Sequence, residues 1–323
     1  MLAAMTGGSD ISRVTVFGGS GFLGSAIVET LAASGYAVRV ACRNSNNPTT
    51  HLQVEQYAEI LPVDADVSDK ASISAALKDC DAVINAVGLY VESETETFEA
   101  VHEIGAANIA HQASTLGVRH LIHISGIGVN LSSKSHYVRA RAKGELLVQG
   151  SFSKATILRP SAIFGTQDAF LNTLASIARR TPILPLFGRG STRLQPVYVG
   201  DVADAVISVL GDINASGQIF ELGGPQIYSY RDLINLVLTH TERRCLLLPV
   251  PFAIWELLAI ASSVLQRPPL TMAQVTLMRQ DNVVAEGALT FEDLGIEPMP
   301  IEDVLPRYGF SESWMTRTTS PRQ

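Results

Sequence analysis

Three glycines at regular spacing are the residues of this sequence that most directly indicate chemistry. Gly18, Gly21 and Gly24 follow the short apolar run at residues 14–17 and open a segment whose apolar residues recur four apart. Residues without a Cβ let backbone N–H groups approach a pyrophosphate, and a helix N-terminus adds favourable partial charge there. The pattern GxxGxxG between a strand and a helix therefore predicts a dinucleotide site, with a purely packing role for the glycines as the alternative. We expect the whole turn to line that site: Gly18, Gly19, Ser20, Gly21, Phe22, Leu23 and Gly24.

The residue at the end of the second expected strand indicates which dinucleotide is preferred. A site selective for NAD places Asp or Glu there, about 20 residues after the turn, to hold the ribose 2′-hydroxyl. In this chain the position is occupied by Arg43. A guanidinium can form a charge-assisted pair with a 2′-phosphate. The sequence therefore favours NADP(H) over NAD(H) as the cofactor, with a solvated surface arginine as the alternative.

Composition limits the other classes of function. The 323 residues carry 24 basic and 31 acidic side chains, and a net charge of −7 argues against general electrostatic binding of nucleic acid. Cys42, Cys80 and Cys245 form no CxxC pair, so neither a disulfide framework nor a zinc site is indicated. His120 and His123 lie three residues apart without a nearby carboxylate, and we assign them no role. We expect no nucleic acid and no metal among the ligands.

Hydropathy and the first residues bear on location. Residues 1–12 have neither the charged start and apolar run of a secretory signal nor the arginine-rich pattern of a transit peptide. Prolines at 249 and 251 and Glu256 interrupt the longest apolar stretch, at residues 246–265, and leave about 14 residues from Phe252 as one helix. Such a helix is too short to span a bilayer. We expect a cytoplasmic protein whose apolar helix is either packed in a second domain or in contact with a membrane surface or a membrane-bound partner.

The elements that must position these residues alternate between strand and helix. Strand-like runs at residues 14–17, 38–42, 60–63, 82–87 and 121–125 are interspersed with helical patterns that end at Gly35, span 97–116 and span 137–148. This order predicts an α/β fold, a Rossmann-like doubly wound parallel sheet with a smaller, mostly helical C-terminal lobe. We expect an N-terminal extension (1–12), an NADP(H)-binding Rossmann domain (13–160), a substrate or partner lobe with strands returning to the Rossmann sheet (161–310) and a flexible tail (311–323).

Further motifs carry a resemblance to a known superfamily. Asp66-Val67 follow the third expected strand, and the segment NAVG (85–88) closes the fourth. With the glycine turn, these motifs are similar to those of the short-chain dehydrogenase/reductase superfamily. The segments RPSAIFG (159–165) and QPVYVGDV (195–202) resemble the two downstream signatures of its extended, epimerase-like branch.

Within that branch, the chain resembles one atypical family, the nucleotide-binding accessory subunits of respiratory complex I, or alpha-subcomplex subunit nine. The motifs that carry this resemblance are VTVFGGSGFLG (14–24), HIS (123–125), FLN (170–172), QPVYV (195–199) and DLGI (293–296). It runs from about residue 13 to residue 308. Members of the family bind NADPH tightly, sit on the peripheral arm of complex I near the membrane and the point where quinone enters, and have no established turnover.

The resemblance implies a role for each matching residue. Gly18, Gly21 and Gly24 would contact the pyrophosphate, Arg43 the adenosine phosphate, and Asp66 with Val67 the adenine. Two further sets would complete the site: Asn85, Ala86, Val87 and Gly88 on the ribose side, and Pro160, Ser161 and Ile163 on the nicotinamide side.

Active members of the superfamily use a tyrosine as general acid or base, together with a lysine four residues later and a serine. In this chain Tyr137 is followed at that offset by Arg141, whereas Lys143 is rotated roughly 120° away on a helix. Ser125 lies just past the fifth strand and is the candidate for the serine. Arginine supplies positive charge, but its planar fork is not interchangeable with a compact ammonium. Tyr137, Arg141 and Ser125 are therefore the candidate catalytic residues, and the replacement of lysine weakens the case for catalysis. The alternative is that Tyr137 is only a packed or surface aromatic.

These observations and the family resemblance leave two main functions and a minor third. The first is an NADP(H)-loaded accessory or assembly subunit of NADH:ubiquinone oxidoreductase without turnover, peripheral on the inner face of the inner membrane and bound to complex I subunits. The second is an NADPH-dependent reductase, dehydrogenase or epimerase acting on a hydrophobic carbonyl or quinone-like compound. The third is a sensor of the NADP(H) ratio. Arg141 in place of lysine favours binding over turnover.

Overall fold

The computed structural model of the chain describes residues 11–44, 60–93, 95–263, 265 and 270–308. The expected tail and most of the expected N-terminal extension lie outside the described residues. The strands within them are, in chain order, β1 (Arg13–Phe17), β2 (Ala37–Cys42), β3 (Ile60–Asp64), β4 (Ala82–Asn85), β5 (His120–Ile124), β6 (Thr156–Pro160), β7 (Ile163–Phe164), β8 (Ile183–Phe187), β9 (Arg193–Leu194), β10 (Val197–Tyr198), β11 (Ile219–Leu222), β12 (Tyr228–Ser229) and β13 (Leu246–Val250).

The helices alternate with these strands. In chain order they are α1 (Phe22–Ala33), α2 (Lys70–Ala76), α3 (Ala106–Thr115), α4 (His136–Ser151), α5 (Ala169–Arg180), α6 (Val199–Gly211), α7 (Tyr230–His240), α8 (Phe252–Ser262), α9 (Met272–Leu277) and α10 (Ile301–Val304). A π-helix, Glu99–Gly105, leads directly into α3. Short 3₁₀ turns at Ile213–Ala215, Glu292–Leu294 and Leu305–Arg307 complete the described secondary structure.

A seven-stranded sheet confirms the doubly wound α/β fold. Its order is β11-β6-β5-β4-β1-β2-β3, and every neighbouring pair is parallel. Val14 and Val16 of the interior strand β1 are completely buried, as expected for a strand covered on both faces. Pro62, which cannot donate a ladder hydrogen bond, lies in the edge strand β3. Because all strands are parallel, their carboxyl ends meet at one edge, and the winding reverses between β1 and β4.

Two of the expected elements differ from the structure at their ends. The fourth strand was expected to reach Val87 but ends at Asn85, because the Asn85 side chain accepts a hydrogen bond from the Val87 N–H and turns the chain. The helix expected over 97–116 begins as the π-helix and becomes regular only at Ala106. Apolar periodicity does not separate a π-helix from an α-helix over two turns, so this difference has no local sequence signal.

The chain divides into two compact units. The first contains the chain up to Ser161 together with Val199–Gly223 and Val284–Pro298, and the second contains Ala162–Tyr198, Gly224–Val283 and the chain from Met299. In the first, strand β11 returns to pair with β6. The second is built around a core under α5 and α7, with Leu174, Leu186 and Leu233 among its buried residues.

Helix α8 of the second unit is shorter than the 14 residues expected, and most of its large aliphatic side chains are exposed. Ile254, Leu257, Leu258 and Ile260 are 48%, 65%, 49% and 59% exposed, whereas Ala259 is buried. Trp255 fixes the helix by donating from its indole Nε1 to the Leu186 carbonyl at 3.0 Å. Within the described part of the chain, no helix has the length and apolar character needed to cross a membrane.

Candidate functional site

The glycine turn after β1 leaves no room for side chains at two of the three glycines of the GxxGxxG pattern. A Cβ on Gly24 would lie 2.0 Å from the Gly18 carbonyl oxygen, and a Cβ on Gly18 would lie 2.7 Å from the Ala86 carbonyl oxygen. Gly18 also has a φ of +74°, which favours glycine. Gly21 is less confined, with 3.3 Å to the Gly18 oxygen. The three glycines therefore let the turn fold back on itself and against the segment after β4.

The same turn presents backbone donors at the start of α1. Gly21 precedes the helix, and among the described residues no side chain caps its first amide groups. The first hydrogen bond of the helix runs from the Ser25 N–H to the Gly21 carbonyl at 2.8 Å. The N–H groups of Phe22, Leu23 and Gly24 precede it and lack partners within the helix, as the first turn of any helix does. With the helix dipole, they form a site suited to a phosphate.

Arg43 and Asp66 follow the carboxyl ends of β2 and β3. These two strands come next to β1, which leads into the glycine turn, in the order of the sheet. Arg43 is largely exposed, and its guanidinium pairs with the carboxylate of Glu96. Hydrogen bonds from the Ser68 hydroxyl and N–H, at 2.7 and 2.8 Å, lower the pKa of Asp66, and the charge of Arg43 lowers it further. Asp66 is therefore an acceptor with a fixed orientation.

Val67 is fixed by the helices behind it. Its carbonyl accepts a hydrogen bond from the side-chain amide of Asn108 at 3.0 Å. Gly105, the last residue of the π-helix, approaches so closely that a Cβ there would lie 2.6 Å from Val67 Cγ2. The backbone of Asp66 and Val67, which the resemblance assigns to the adenine, is therefore held at the edge of the sheet.

Asn85 is held by a buried histidine that the sequence left without a role. Its side-chain nitrogen lies 3.1 Å from His123 Nδ1, and its oxygen accepts from the Val87 N–H at 3.2 Å. Burial lowers the pKa of His123 to about 3, with a further contribution from the charge of Arg141, so this imidazole is neutral. Its Nδ1 then accepts from Asn85, and the Asn85 oxygen is directed at the segment Ala86, Val87 and Gly88.

Tyr137 and Arg141 meet one turn apart on α4. The Arg141 guanidinium donates to the Tyr137 phenol oxygen and lies 5.4 Å from the centre of its ring. Burial raises the pKa of Tyr137 to about 12, although the charge of Arg141 opposes that shift. Lys143 points elsewhere and pairs with Glu103 at 3.4 Å. The phenol is therefore protonated at neutral pH, and Arg141 occupies the place of the usual lysine.

Ser125 sits at the carboxyl end of β5 with an unused hydroxyl. Its Oγ is buried and has no hydrogen-bond partner among the described residues, while its N–H donates to the Leu158 carbonyl at 2.7 Å. Buried polar atoms are rarely left without a partner, so this hydroxyl is available to hydrogen-bond with a bound molecule. Together with the glycine turn that a Cβ would fill, this atom shows that the residues present fit a dinucleotide.

The remaining residues assigned to the nicotinamide side divide between the two units. Pro160 ends β6, where its carbonyl accepts from the Ile127 N–H at 3.1 Å. Ser161 follows it and donates its N–H to the Leu222 carbonyl at 2.9 Å. Ile163 opens β7 in the second unit. Every other candidate residue lies in the first unit.

An aromatic cluster around Tyr137 was not expected from the sequence. Phe98, His102 and Tyr90 have ring centres 5.3, 5.5 and 5.8 Å from that of Tyr137. Burial lowers the pKa of His102 to about 4, and its Nε2 lies 2.9 Å from the Leu89 carbonyl oxygen. These residues come from the segment after β4 and from the π-helix, and no spacing in the sequence links them to α4.

Helix α4 is anchored to the sheet by a charged group. Arg159 of β6 donates from Nε and Nη2 to the two carboxylate oxygens of Glu145 at 3.0 and 2.6 Å, and from Nη1 to Glu221 at 3.3 Å. Glu145, Arg141 and Tyr137 are successive positions four apart on α4. A two-pronged arginine–carboxylate contact fixes geometry as well as charge. The network therefore holds the helix that carries Tyr137.

Comparisons with known proteins show the family to which the chain belongs. The family described as NAD(P)H-binding matches residues 18–213, more than half of the chain. The chain is 32% identical over 308 residues to the mitochondrial NADH dehydrogenase (ubiquinone) 1 alpha subcomplex subunit 9 of Arabidopsis thaliana, covering 91% of this chain and 77% of that protein. The Mus musculus protein of the same name is 32% identical over 301 residues, covering 92% of this chain and 80% of that protein.

Solved structures share the fold. The dTDP-glucose 4,6-dehydratase of Bacillus anthracis in complex with NAD superimposes with a TM-score of 0.72 at 16% identity, covering 94% of this chain and 98% of that chain. At this identity the likeness concerns the fold alone, and it confirms the Rossmann-like architecture. From the matched family and the two relatives, the chain belongs to the NAD(P)H-binding proteins and, among them, to the family of the alpha subcomplex subunit 9 of NADH dehydrogenase (ubiquinone).

Proposed function

We propose that this protein is an NADP(H)-binding accessory or assembly subunit of NADH:ubiquinone oxidoreductase that holds its dinucleotide without turning it over. The observation that carries the proposal is similarity over about nine-tenths of the chain to proteins named as subunits of NADH dehydrogenase. A relative that shared only the nucleotide-binding half would support binding alone. Similarity through the second unit supports a shared partner as well.

The dinucleotide would be held by the chain's own backbone and side chains. The N–H groups at the start of α1 would bind the pyrophosphate, and Asp66 with Val67 would face the adenine. The buried Ser125 hydroxyl would gain the partner it lacks. A bound dinucleotide supplies a hydride donor or acceptor when a substrate and a proton source are also present.

The preference for NADP(H) is part of the proposal and rests on Arg43. A guanidinium at the end of β2 can form a charge-assisted pair with a 2′-phosphate, whereas its hydrogen bond to a neutral 2′-hydroxyl would be much weaker. Arg43→Asp should therefore weaken NADPH binding by about tenfold or more and leave NADH binding nearly unchanged. Isothermal titration of both nucleotides checks this, and equal losses for the two would contradict it.

The lack of turnover is proposed from the pair of Tyr137 and Arg141. A general acid or base works best when its pKa is near the working pH. Burial raises the pKa of the Tyr137 phenol to about 12, and the planar guanidinium of Arg141 does not lower it to that range. Tyr137 would therefore hold its proton and contribute packing around the nicotinamide side.

We further propose that α8 contacts the membrane-facing edge of a partner, which would place the protein at the inner face of the inner membrane. The support is the row of exposed apolar side chains on α8, which includes Leu257 and Ile260. Exposed apolar patches of this kind mark interaction sites. The partner would be a subunit of the respiratory complex.

One experiment tests the central proposal. The protein is purified from its own cells in mild detergent, any bound nucleotide is released and identified, and the co-purifying polypeptides are identified by mass spectrometry. We expect NADP(H) and subunits of NADH:ubiquinone oxidoreductase. Their absence, together with NADPH consumption that disappears in Tyr137→Phe, would contradict the proposal in favour of an active reductase.

A further inference from the structure

The guanidinium that we propose for the 2′-phosphate already has an anionic partner in this structure. Nη1 of Arg43 donates to Oε1 of Glu96, and the two side chains are 61% and 33% exposed. A carboxylate oxygen and a phosphate oxygen accept from the same guanidinium N–H groups. Glu96 therefore occupies one of the guanidinium donors and offsets part of the charge that would attract a phosphate.

A hydrogen-bonded turn holds Glu96 in this position. The Glu96 N–H donates to the Ser93 hydroxyl at 3.1 Å, and the Ser93 N–H donates to the Glu96 carbonyl at 2.9 Å. Both backbone groups of Glu96 are thus tied to Ser93. The carboxylate is presented to Arg43 from a fixed backbone, which lowers the entropic cost of keeping the pair formed.

A second carboxylate shares the charge of Arg43. The hydrogen bonds from Ser68 and then the charge of Arg43 hold the pKa of Asp66 below its ordinary value. One positive charge therefore faces two negative charges before any ligand arrives. A 2′-phosphate, which carries nearly two negative charges, would meet that arrangement on binding.

We propose that Glu96 is a specificity-determining residue that competes with the 2′-phosphate of NADP(H) for Arg43. The inference rests on the proposed NADP(H) site. NAD(H) carries an uncharged 2′-hydroxyl, so it can bind with the Arg43–Glu96 pair intact. NADP(H) must compete with the Glu96 carboxylate for the guanidinium and bind with that negative charge nearby. Glu96 thus lowers the affinity for phosphorylated dinucleotides and limits the preference that Arg43 creates.

The test compares two probes that differ only in the 2′-phosphate, 2′,5′-ADP and 5′-AMP, titrated calorimetrically into the full chain. Glu96→Gln keeps the size of the side chain and removes its charge. We expect this variant to bind 2′,5′-ADP about three- to tenfold more tightly than the wild type and 5′-AMP equally well. The gain should shrink at high ionic strength, because the competing pair is exposed.

Glu99→Gln is the matched control. Glu99 is an exposed glutamate three residues further on, and its substitution makes the same change in net charge. We expect the control to leave both affinities unchanged. An equal gain in Glu99→Gln would assign the effect to net charge and overturn the role of Glu96.

Two other outcomes separate this inference from the proposed function. Unchanged or weaker binding of 2′,5′-ADP by Glu96→Gln overturns the inference, even where the wild type prefers that probe. Equal binding of both probes by the wild type contradicts the proposed NADP(H) preference. In that case the inference stands if Glu96→Gln creates a preference for 2′,5′-ADP and falls if it does not.

Discussion

At the scale of single residues, the site depends on glycines, which have no Cβ, and on buried titratable side chains that stay neutral. The closest approach in the turn, between Gly24 and the Gly18 carbonyl, leaves no space for one methyl group. The buried imidazoles of His102 and His123 and the phenol of Tyr137 keep their neutral forms because burial disfavours charge. Both features are consequences of close packing at the carboxyl edge of the sheet.

The first prediction at this scale concerns Gly24. A Cβ at this position would lie 2.0 Å from a backbone oxygen, so Gly24→Ala should open the turn and move the amide donors of α1. We expect a loss of NADPH binding of at least about tenfold in calorimetric titration. Gly150→Ala is the control, because no heavy atom lies within 4 Å of the corresponding Cβ. Full binding by Gly24→Ala would contradict the assigned role of the turn.

The second concerns the pH dependence of stability through His123. Its folded pKa is about 3, below the ordinary value of 6.5, so the unfolded chain takes up a proton that the folded chain refuses. The stability contribution is complete above pH 6.5 and is lost as pH falls toward 3. By pH 5 this one group should cost about 2 kcal/mol of the free energy of unfolding.

Denaturant titrations at pH 7.5 and pH 5 measure that loss. His123→Asn should be less stable at pH 7.5 but should lose less on acidification than the wild type. His111→Asn, at an exposed position of α3, serves as the control and should keep the wild-type loss. An identical acid loss in His123→Asn would show that His123 is protonated in the folded protein.

At the scale of elements, the helices place side chains that are far apart in sequence. A Cβ on Gly144 of α4 would lie 2.0 Å from the His102 carbonyl oxygen, so α4 lies directly against the π-helix. The π-helix and the residue before it place His102 and Phe98 against the face of α4 that carries Tyr137. Insertions of this kind recur at functional sites, and here one builds the aromatic cluster.

A prediction at the element scale concerns α8. Leu257→Gln with Ile260→Gln removes two exposed apolar side chains and leaves Trp255 bonded to Leu186. If α8 contacts a partner at the membrane, this double variant should recover at least about tenfold less of the co-purifying respiratory subunits, because apolar burial drives such contacts.

The control for α8 is a double variant of polar surface residues, Thr239→Gln with Asn235→Gln on α7. Trp255 fluorescence and the melting temperature report whether each variant keeps its fold. Unchanged recovery of respiratory subunits by the α8 variant would contradict the proposed contact.

At the scale of the whole molecule, a bound dinucleotide should act as a stabilising ligand. A ligand that binds only the folded state stabilises it by about 2.7 kcal/mol at a hundred times its dissociation constant. All but one of the candidate residues lie in the first unit. We therefore expect NADPH to slow amide hydrogen exchange in β1 and α1 and to leave α7 of the second unit unchanged.

Hydrogen exchange with mass spectrometry checks this on the full chain, with and without NADPH. Arg43→Asp should remove most of the protection given by NADPH at the same concentration. Protection confined to the second unit would contradict the placement of the site.

Local sequence determined the fold class, the glycine turn and the family. Val14 and Val16 beside GxxGxxG specify a buried strand that ends in a tight turn, and these signals act between neighbours in the chain. The same alternation of strand and helix placed Arg43 directly after the second strand, where the structure has it. Such features depend on backbone conformations that nearby residue types dictate.

Only the tertiary structure decided the partners of those residues. It brought Glu96 to Arg43, His123 to Asn85 and an aromatic cluster to Tyr137, and it left the Ser125 hydroxyl buried and unpaired among the described residues. Asn85 and His123 are register partners on the neighbouring strands β4 and β5, and Arg43 and Glu96 are 53 positions apart in the sequence. Their distances and pKa values arise from packing and burial, which depend on how the whole chain closes around the carboxyl edge of the sheet and on no spacing within the sequence.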